Sequence, residues 1–496
     1  MVAKTLTISR DSKNVEDIFD GIGGFGRFQV CILVALLMFE VPAAFTIFSP
    51  IISGATPKEW TCDEIRIPFE DICLCNGTLT SSKSSIVVEW NLVCEFAWVS
   101  DFSTSMHMLG MLFGNFATGL CADWYGRRWT LLGTIIFLLT GTLISGLSPN
   151  LYLYIVARFI CGMGYSGYAS LSMTYAMEFL TPKWRSVCVS FGPFGEGIML
   201  LGVIGYYFQD SWRTIYLVTA IPYFAIFAIF PFLPESPRWL LKNGQIPEAV
   251  TVFRQIAKIN RHEDWKLSEE NFISESKNNS ASPPAGSMSY VEFFKNAAMR
   301  RTTLCLVAVW CTWVIMYFGI SFNFKNIGGD AYLNIVFLGL CDTLAYPIAY
   351  LIGLRLNRRN LVALFMSGSA LFLISLAILT IFKDDFVIDI SNITQSLLLL
   401  AKFCSAGSRS SIRLFTGESF PTPVRNMGYG IVGVAASCVG LLAPQLAYLG
   451  STSPSLPLFI FAGCSLIGAG VSFLLRETKG QPLNEDVQEN KAKANK

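Results

Sequence analysis

Twelve apolar stretches alternate with polar turns along this chain, at 28–51, 99–121, 129–148, 151–173, 186–207, 212–233, 302–324, 331–354, 360–382, 395–417, 427–449 and 455–475. About 20 residues at a 1.5 Å rise cross the ~30 Å hydrocarbon core of a bilayer, so each stretch is long enough to span it as a helix. No water reaches backbone groups at that depth, and a helix satisfies them internally. The pattern therefore predicts an all-α membrane protein with twelve transmembrane helices. Two polar insertions, 52–98 and 235–301, break the rhythm. They divide the chain into a tail (1–27), a six-helix half (28–233), a linker (234–301), a second six-helix half (302–475) and a short tail (476–496).

Composition agrees with the pattern. The chain is 52% hydrophobic and only 15% charged, with a mean hydropathy of +0.49, whereas soluble domains carry about 25% charged residues. A formal net charge of +2 gives no reason to expect a polyanionic partner, and nucleic acid is excluded on that ground. The first 26 residues hold no apolar core or cleavage site, so the first span is expected to act as the targeting signal. Lys and Arg concentrate in alternate short loops, at Arg127 and Arg128, Lys183 and Arg185, Arg355, Arg358 and Arg359, and Arg425. The positive-inside bias then puts both termini in the cytosol and loop 52–98 outside. That loop carries Cys62, Cys73, Cys75 and Cys94, in a compartment where disulfides persist. Four cysteines allow three pairings, and the sequence leaves them open. Asn76-Gly77-Thr78 in the same loop is a glycosylation acceptor.

The chain also repeats itself. GLCADWYGRR at 119–128 has a worn copy, YLIGLRLNRR, at 350–359. Glu178 and Arg185 recur as Glu418 and Arg425, and LPESPRWLL at 233–241 is echoed by LRETKGQPL at 475–483. All three lie at nearly one offset, roughly 240 residues, which implies two halves in parallel orientation, as in facilitator-type transporters. Asp123 ends a span beside Arg127 and Arg128, where a carboxylate accepts charge-assisted hydrogen bonds from neighbouring arginines. Asp123, Arg127, Arg128, Glu178, Arg185, Glu418 and Arg425 are thus candidate gating residues.

EWNLVC at 89–94 resembles a hallmark of solute carrier family 22, the organic cation, anion and carnitine transporters. So do GFGRFQ at 24–29, ADWYGRR at 122–128, ESPRWLL at 235–241, TGESFPTPVRNMG at 416–428 and ETKGQPL at 477–483. The resemblance implies a major facilitator fold, alternating access, a surface membrane and small organic ions as substrates. It also implies that span 11 reads substrate charge, with aspartate in cation carriers and arginine in anion carriers. The matching residue here is Ser437, so that rule fails. A family carboxylate of the cation and carnitine branches matches Asp342.

Charged side chains inside spans are costly unless they face protein or water, so each is a functional candidate. The acids are Glu40, Asp101 (read as solvated at the outer boundary), Glu196 and Asp342; the bases are Arg158, Lys402, Arg409 and Arg413. At 100° per residue, Arg409 and Arg413 lie about 20° on either side of Lys402 and form one basic stripe. Tyr317 and Tyr346 are candidate cavity aromatics able to hold a cation on their faces. The predicted substrate site is Arg409, Asp342, Lys402, Arg413, Glu40, Glu196, Tyr346 and Tyr317. No metal cluster, nucleophile constellation or nucleotide loop is legible, so an enzyme and a cofactor are not expected. The expectation is a monomeric plasma-membrane carrier, multi-pass, for organic anions or carnitine-like zwitterions. Organic cations are the alternative, and a non-transporting receptor a remote one.

Overall fold

The computed structural model describes residues 15–57, 59–63, 65–75, 77–81, 83–181, 184, 192–262, 294–324, 330–382, 390–420 and 425–479. Its frame is twelve helices: α1 (Arg27–Ser53), α2 (Trp98–Tyr125), α3 (Arg127–Leu147), α4 (Leu151–Glu178), α5 (Phe194–Tyr207) and α6 (Trp212–Phe232), then α7 (Ala297–Asn323), α8 (Ala331–Arg355), α9 (Arg358–Ile381), α10 (Ser391–Ser419), α11 (Met427–Gly450) and α12 (Ser455–Ser472). Eight of them are long and apolar enough to cross a membrane on length and composition alone. The helices α2, α4 and α10 are longer still, at 28, 28 and 29 residues, yet carry more polar positions. Those positions are largely turned inward: Ser103, His107, Arg158, Lys402 and Ser405 are all fully buried. The polarity that weakens the apolar signal of these three helices therefore faces protein, where it is tolerated. In α6, Pro222 and Pro231 fall in short 3-10 turns, because proline lacks the amide a continuous helix needs.

Helices α1–α6 form one half and α7–α12 the other. The halves meet along two helix pairs. Between α5 and α8 the backbones touch: a Cβ on Gly195 would sit 2.7 Å from Thr343 N and 2.8 Å from Gly339 O, and one on Gly339 would sit 2.5 Å from Gly195 O. Only glycine permits that approach. Between α2 and α11, Ser105 Oγ donates to Leu441 O (3.1 Å), Gln445 Nε2 to Ser105 Oγ (3.3 Å) and Asn115 Nδ2 to Ser437 Oγ (3.2 Å).

The 54–97 loop departs from the all-helical expectation with a small antiparallel sheet, β1 (Trp60–Cys62), β2 (Ile65–Ile67) and β3 (Leu79–Thr80), in the order β2-β1-β3. Strands of two or three residues leave almost no alternation to read. The disulfides pair Cys62 with Cys75 and Cys73 with Cys94. Trp60, Ile72, Ile86, Val87 and Leu92 of the loop pack with Tyr154 of α4 and Trp212 and Tyr216 of α6. Trp212 Nε1 donates to Glu89 Oε2 at 2.8 Å, and Arg213 pairs with the same carboxylate. Trp212 is 1% exposed and meets Trp90, Tyr154 and Tyr216 edge-on. Trp212→Ala is therefore expected to cost about 3–5 kcal/mol, read as a lower melting temperature in detergent than that of an exposed control such as Trp124→Ala.

At the end opposite the loop, an amphipathic helix (Ile246–Ile259) buries Ala249, Val250, Phe253 and Ile256. The Asn260 side chain after it accepts from Phe28 N (3.0 Å) and donates to Ile22 O (3.0 Å), fastening the start of α1.

Candidate functional site

Ionisable groups gather in the middle of the bundle on α1, α5, α7, α8 and α10. The basic stripe of α10 holds together but divides into two environments. Lys402 and Asp342 are sealed, both side chains 0% exposed, with Nζ 3.5 Å from Asp342 Oδ1. Lys402 also donates to Ser321 Oγ (2.8 Å) and lies 3.3 Å from the centroid of the Tyr317 ring. The Tyr317 hydroxyl donates to Asp342 Oδ2. Sequence reasoning placed Lys402, Asp342 and Tyr317 at the substrate; here they contact one another, as buried charges that are paired.

About two and three turns further along α10 lie Arg409 and Arg413, both half-buried. Arg409 Nη1 donates to Tyr346 OH (2.9 Å), and its guanidinium lies 4.6 Å from the Phe194 ring centroid, across the divide between the halves. Glu40 on α1 feels Arg409, Arg413 and Glu196 electrostatically. The side chains of Glu40, Glu196 and Arg413 have no hydrogen-bond or ion-pair partner among the described residues. A standing Arg409–Glu196 pair is absent from the described ion pairs, and Glu196 is exposed. The halves are closed where α2 meets α11 and α5 meets α8.

One sequence expectation changes. Asp101 is buried, 6% exposed, rather than solvated. Ser437, in place of a charged reader, bonds to Asn115 and links the halves through neutral groups. Arg158 braces two helices, fully buried with Nη1 donating to Thr46 O at 2.7 Å. A groove of about 340 Å³ lined by Gly114, Cys121, Trp129 and Phe137 lies on the outer wall of the first half, apart from these charges.

The repeat motifs build the same brace twice. In the first half, Arg127 Nε meets Glu178 Oε1 at 3.2 Å, and Glu235 Oε1 accepts from Arg127 N (2.9 Å) and Arg128 N (3.1 Å). In the second, Arg358 Nε meets Glu418 Oε2 at 3.2 Å, and Glu477 accepts from Arg358 N (2.8 Å) and Arg359 N (3.2 Å). A carboxylate at a helix N-terminus satisfies orphan amides and meets the positive end of the dipole. Gly126 makes this possible: its φ is +94°, and a Cβ there would strike the Glu235 carboxylate. Asp123 pairs with Arg127 at 2.8 Å but is 58% exposed. Each brace lies within one half. Arg185 and the Arg425 side chain lie outside the described residues, as does Asn76. Glu235 and Glu477 were visible only as repeat landmarks, since capping of a distant helix leaves no local pattern.

Burial pushes the Glu477 carboxyl up, but the amides of Lys479, Arg358, Arg359 and Thr478 outweigh it and hold it below the ordinary value. A depressed carboxyl stabilises above its unfolded pKa and loses that contribution as pH falls through the folded one. Glu477→Gln should therefore melt earlier than wild type at neutral pH, and the gap should close on acidification below about pH 4. A gap that persists there would exclude the charged cap as its cause.

Comparison with known proteins agrees with this geometry. The family described as "Sugar (and other) transporter" matches residues 76–489. Solute carrier family 22 member 20 of Mus musculus is 31% identical over 409 residues, covering 82% of this chain and 72% of that protein. Organic anion transporter 3 of Oryctolagus cuniculus is 30% identical over 426 residues, 84% of this chain and 76% of that one. Organic cation/carnitine transporter 2 of Mus musculus is 28% identical over 412 residues, 82% and 72%. A partially occluded inward-open structure of the xylose transporter XylE from E. coli superposes with a TM-score of 0.67 at 16% identity, covering 92% of this chain and all of that one. The chain accordingly belongs to the sugar (and other) transporter family of the major facilitator fold, and within it to solute carrier family 22: it is a multi-pass membrane transporter and not an enzyme.

Proposed function

We propose that the protein carries small organic anions or carnitine-like zwitterions by rocking of its halves around the Arg409 site. The observation that carries this reading is the pairing state of the central charges. Arg409 faces the divide with only tyrosine hydroxyls, those of Tyr346 and Tyr165, as hydrogen-bond acceptors, while the side chains of Glu40, Glu196 and Arg413 beside it hold no partner among the described residues. A guanidinium so placed offers a fork that matches a carboxylate. Glu40 on the opposing half offers an acceptor for an ammonium group. Relatives named for organic anions and for organic cations and carnitine are both compatible with such a mixed site. The test is uptake of radiolabelled para-aminohippurate, carnitine and tetraethylammonium in cells at clamped membrane potential. Anion and zwitterion uptake above that of mock cells is expected; uptake of tetraethylammonium alone would assign the cation reading instead.

The reading includes topology: both termini cytosolic, the disulfide loop outside, and the carrier at the plasma membrane as a monomeric unit. The repeated arginine braces then sit on the cytosolic ends of the halves, where they keep each half rigid as it rocks. Asn76 should carry glycan, so glycosidase should shift wild type on a gel and leave Asn76→Gln unmoved. Glycan on Asn278, in the Asn278-Asn279-Ser280 acceptor of the 235–301 insertion, would invert the topology.

A further inference from the structure

We propose that Asp342 carries a proton through the transport cycle, so that an organic carboxylate moves together with one H⁺; this rests on the anion-binding reading of Arg409.

The geometry of the sealed pair is the basis. Asp342 Oδ1 stands 3.5 Å from Lys402 Nζ and takes no hydrogen bond; only Oδ2 is served, by the Tyr317 hydroxyl. One oxygen of a fully buried carboxylate is thus left open, and an unserved acceptor at that depth is costly. Lys402 has contacts besides Asp342. Ser321 Oγ accepts from it at 2.8 Å, the Tyr317 ring lies beneath it at 3.3 Å, and the Phe48 ring stands at 5.8 Å. A proton placed on Oδ1 would neutralise Asp342 and leave the ammonium held where it is.

The charge so exposed adjoins the substrate site. The Arg409 guanidinium is 6.0 Å from the centroid of the same Tyr317 ring. The groups that face the pair are Tyr317 from α7, Lys402 and Arg409 from α10, and Cys341 and Tyr346 from α8 itself; α5, which packs on α8, sets Phe194 against Arg409. With Asp342 ionised, its charge offsets Lys402 and only Arg409 and Arg413 attract an anion. With Asp342 protonated, Lys402 is uncompensated and reinforces them. Proton and carboxylate therefore bind together, and both leave when Lys402 and Asp342 pair again. The proton comes from water on one side and returns to water on the other. A monocarboxylate with one proton moves no net charge.

The experiment uses the full-length protein in liposomes, with radiolabelled para-aminohippurate and the voltage clamped by potassium and valinomycin. One pH unit, acidic outside, should raise accumulation up to about tenfold, since one unit is a factor of ten per coupled proton. In Asp342→Asn, and in the charge-balanced Asp342→Asn/Lys402→Gln variant, uptake should ignore the gradient. Infrared difference spectra on acidification should show a protonated-carboxyl band in wild type that both variants lack, with no substrate present. Wild-type uptake indifferent to the gradient, a gradient response that survives Asp342→Asn, or no Asp342-dependent band would each overturn the proposal. Failure of para-aminohippurate uptake with the band intact would sink the anion reading and leave the proton site standing.

Discussion

Arg409→Ala is expected to weaken anion and zwitterion transport by roughly 10- to 100-fold while leaving the folded protein in the membrane. The magnitude follows from a hydrogen bond to a charged group, about 1.5–3 kcal/mol, and tenfold for each 1.4 kcal/mol. Folding should survive because Arg409 is half-buried and its hydrogen bonds run to the neutral hydroxyls of Tyr346 and Tyr165, not to a carboxylate. Lysine should be a poor replacement, since an ammonium cannot reproduce a planar two-pronged contact. The measurements are initial uptake rate and surface biotinylation for Arg409→Ala and Arg409→Lys. Full transport by Arg409→Ala would remove it from the substrate site. Collapse of expression with rescue by a second change at Glu196 would show that it braces the fold instead.

The second large effect is conformational. Gly339→Val should pry the halves apart at α5 and α8, because even its Cβ would stand 2.5 Å from Gly195 O and 2.6 Å from Met199 N. Backbone cannot retreat as a side-chain tip can. Overpacking of this kind typically costs 1–3 kcal/mol, which moves the population of this closed arrangement by roughly 10- to 100-fold. Ser105→Cys makes a reporter, since Ser105 lies in the α2–α11 seam, bonded to Leu441 O. In purified protein its alkylation by a maleimide should be slow alone and several-fold faster with Gly339→Val. Gly119→Val, where a Cβ would meet nothing within 4 Å, should leave the rate unchanged. Equal rates in all three would mean that the seam does not open with the α5–α8 contact.

Much of this architecture was legible in the sequence because a bilayer imposes one length and one polarity rule on every span. The repeat motifs located both braces, and the α10 stripe followed from helical period alone. What could not be read were partners brought together across the fold. Glu178 and Glu418 each had an arginine seven residues downstream, but their described contacts run to Arg127 and Arg358 on another helix. Lys402 and Arg409 look alike on a helical wheel, yet one is sealed against Asp342 and the other faces the divide. Depth along a span is periodic; which neighbour arrives there is not. The small sheet escaped because its strands are shorter than a pattern needs.

The disulfide loop is fastened to one half. Its Glu89 accepts hydrogen bonds from Trp212 and Arg213, and Trp90 rests on Tyr154 and Trp212, all in α1–α6. It is therefore a built-in pointer whose direction follows the first half as a rigid body. A nanobody clasping the loop would act as a fiducial in single-particle images. Paired with a dye on α12, it would turn each rocking stroke into a change in distance. Because it grips only one of the two moving bodies, such a binder should track the carrier at work rather than jam it.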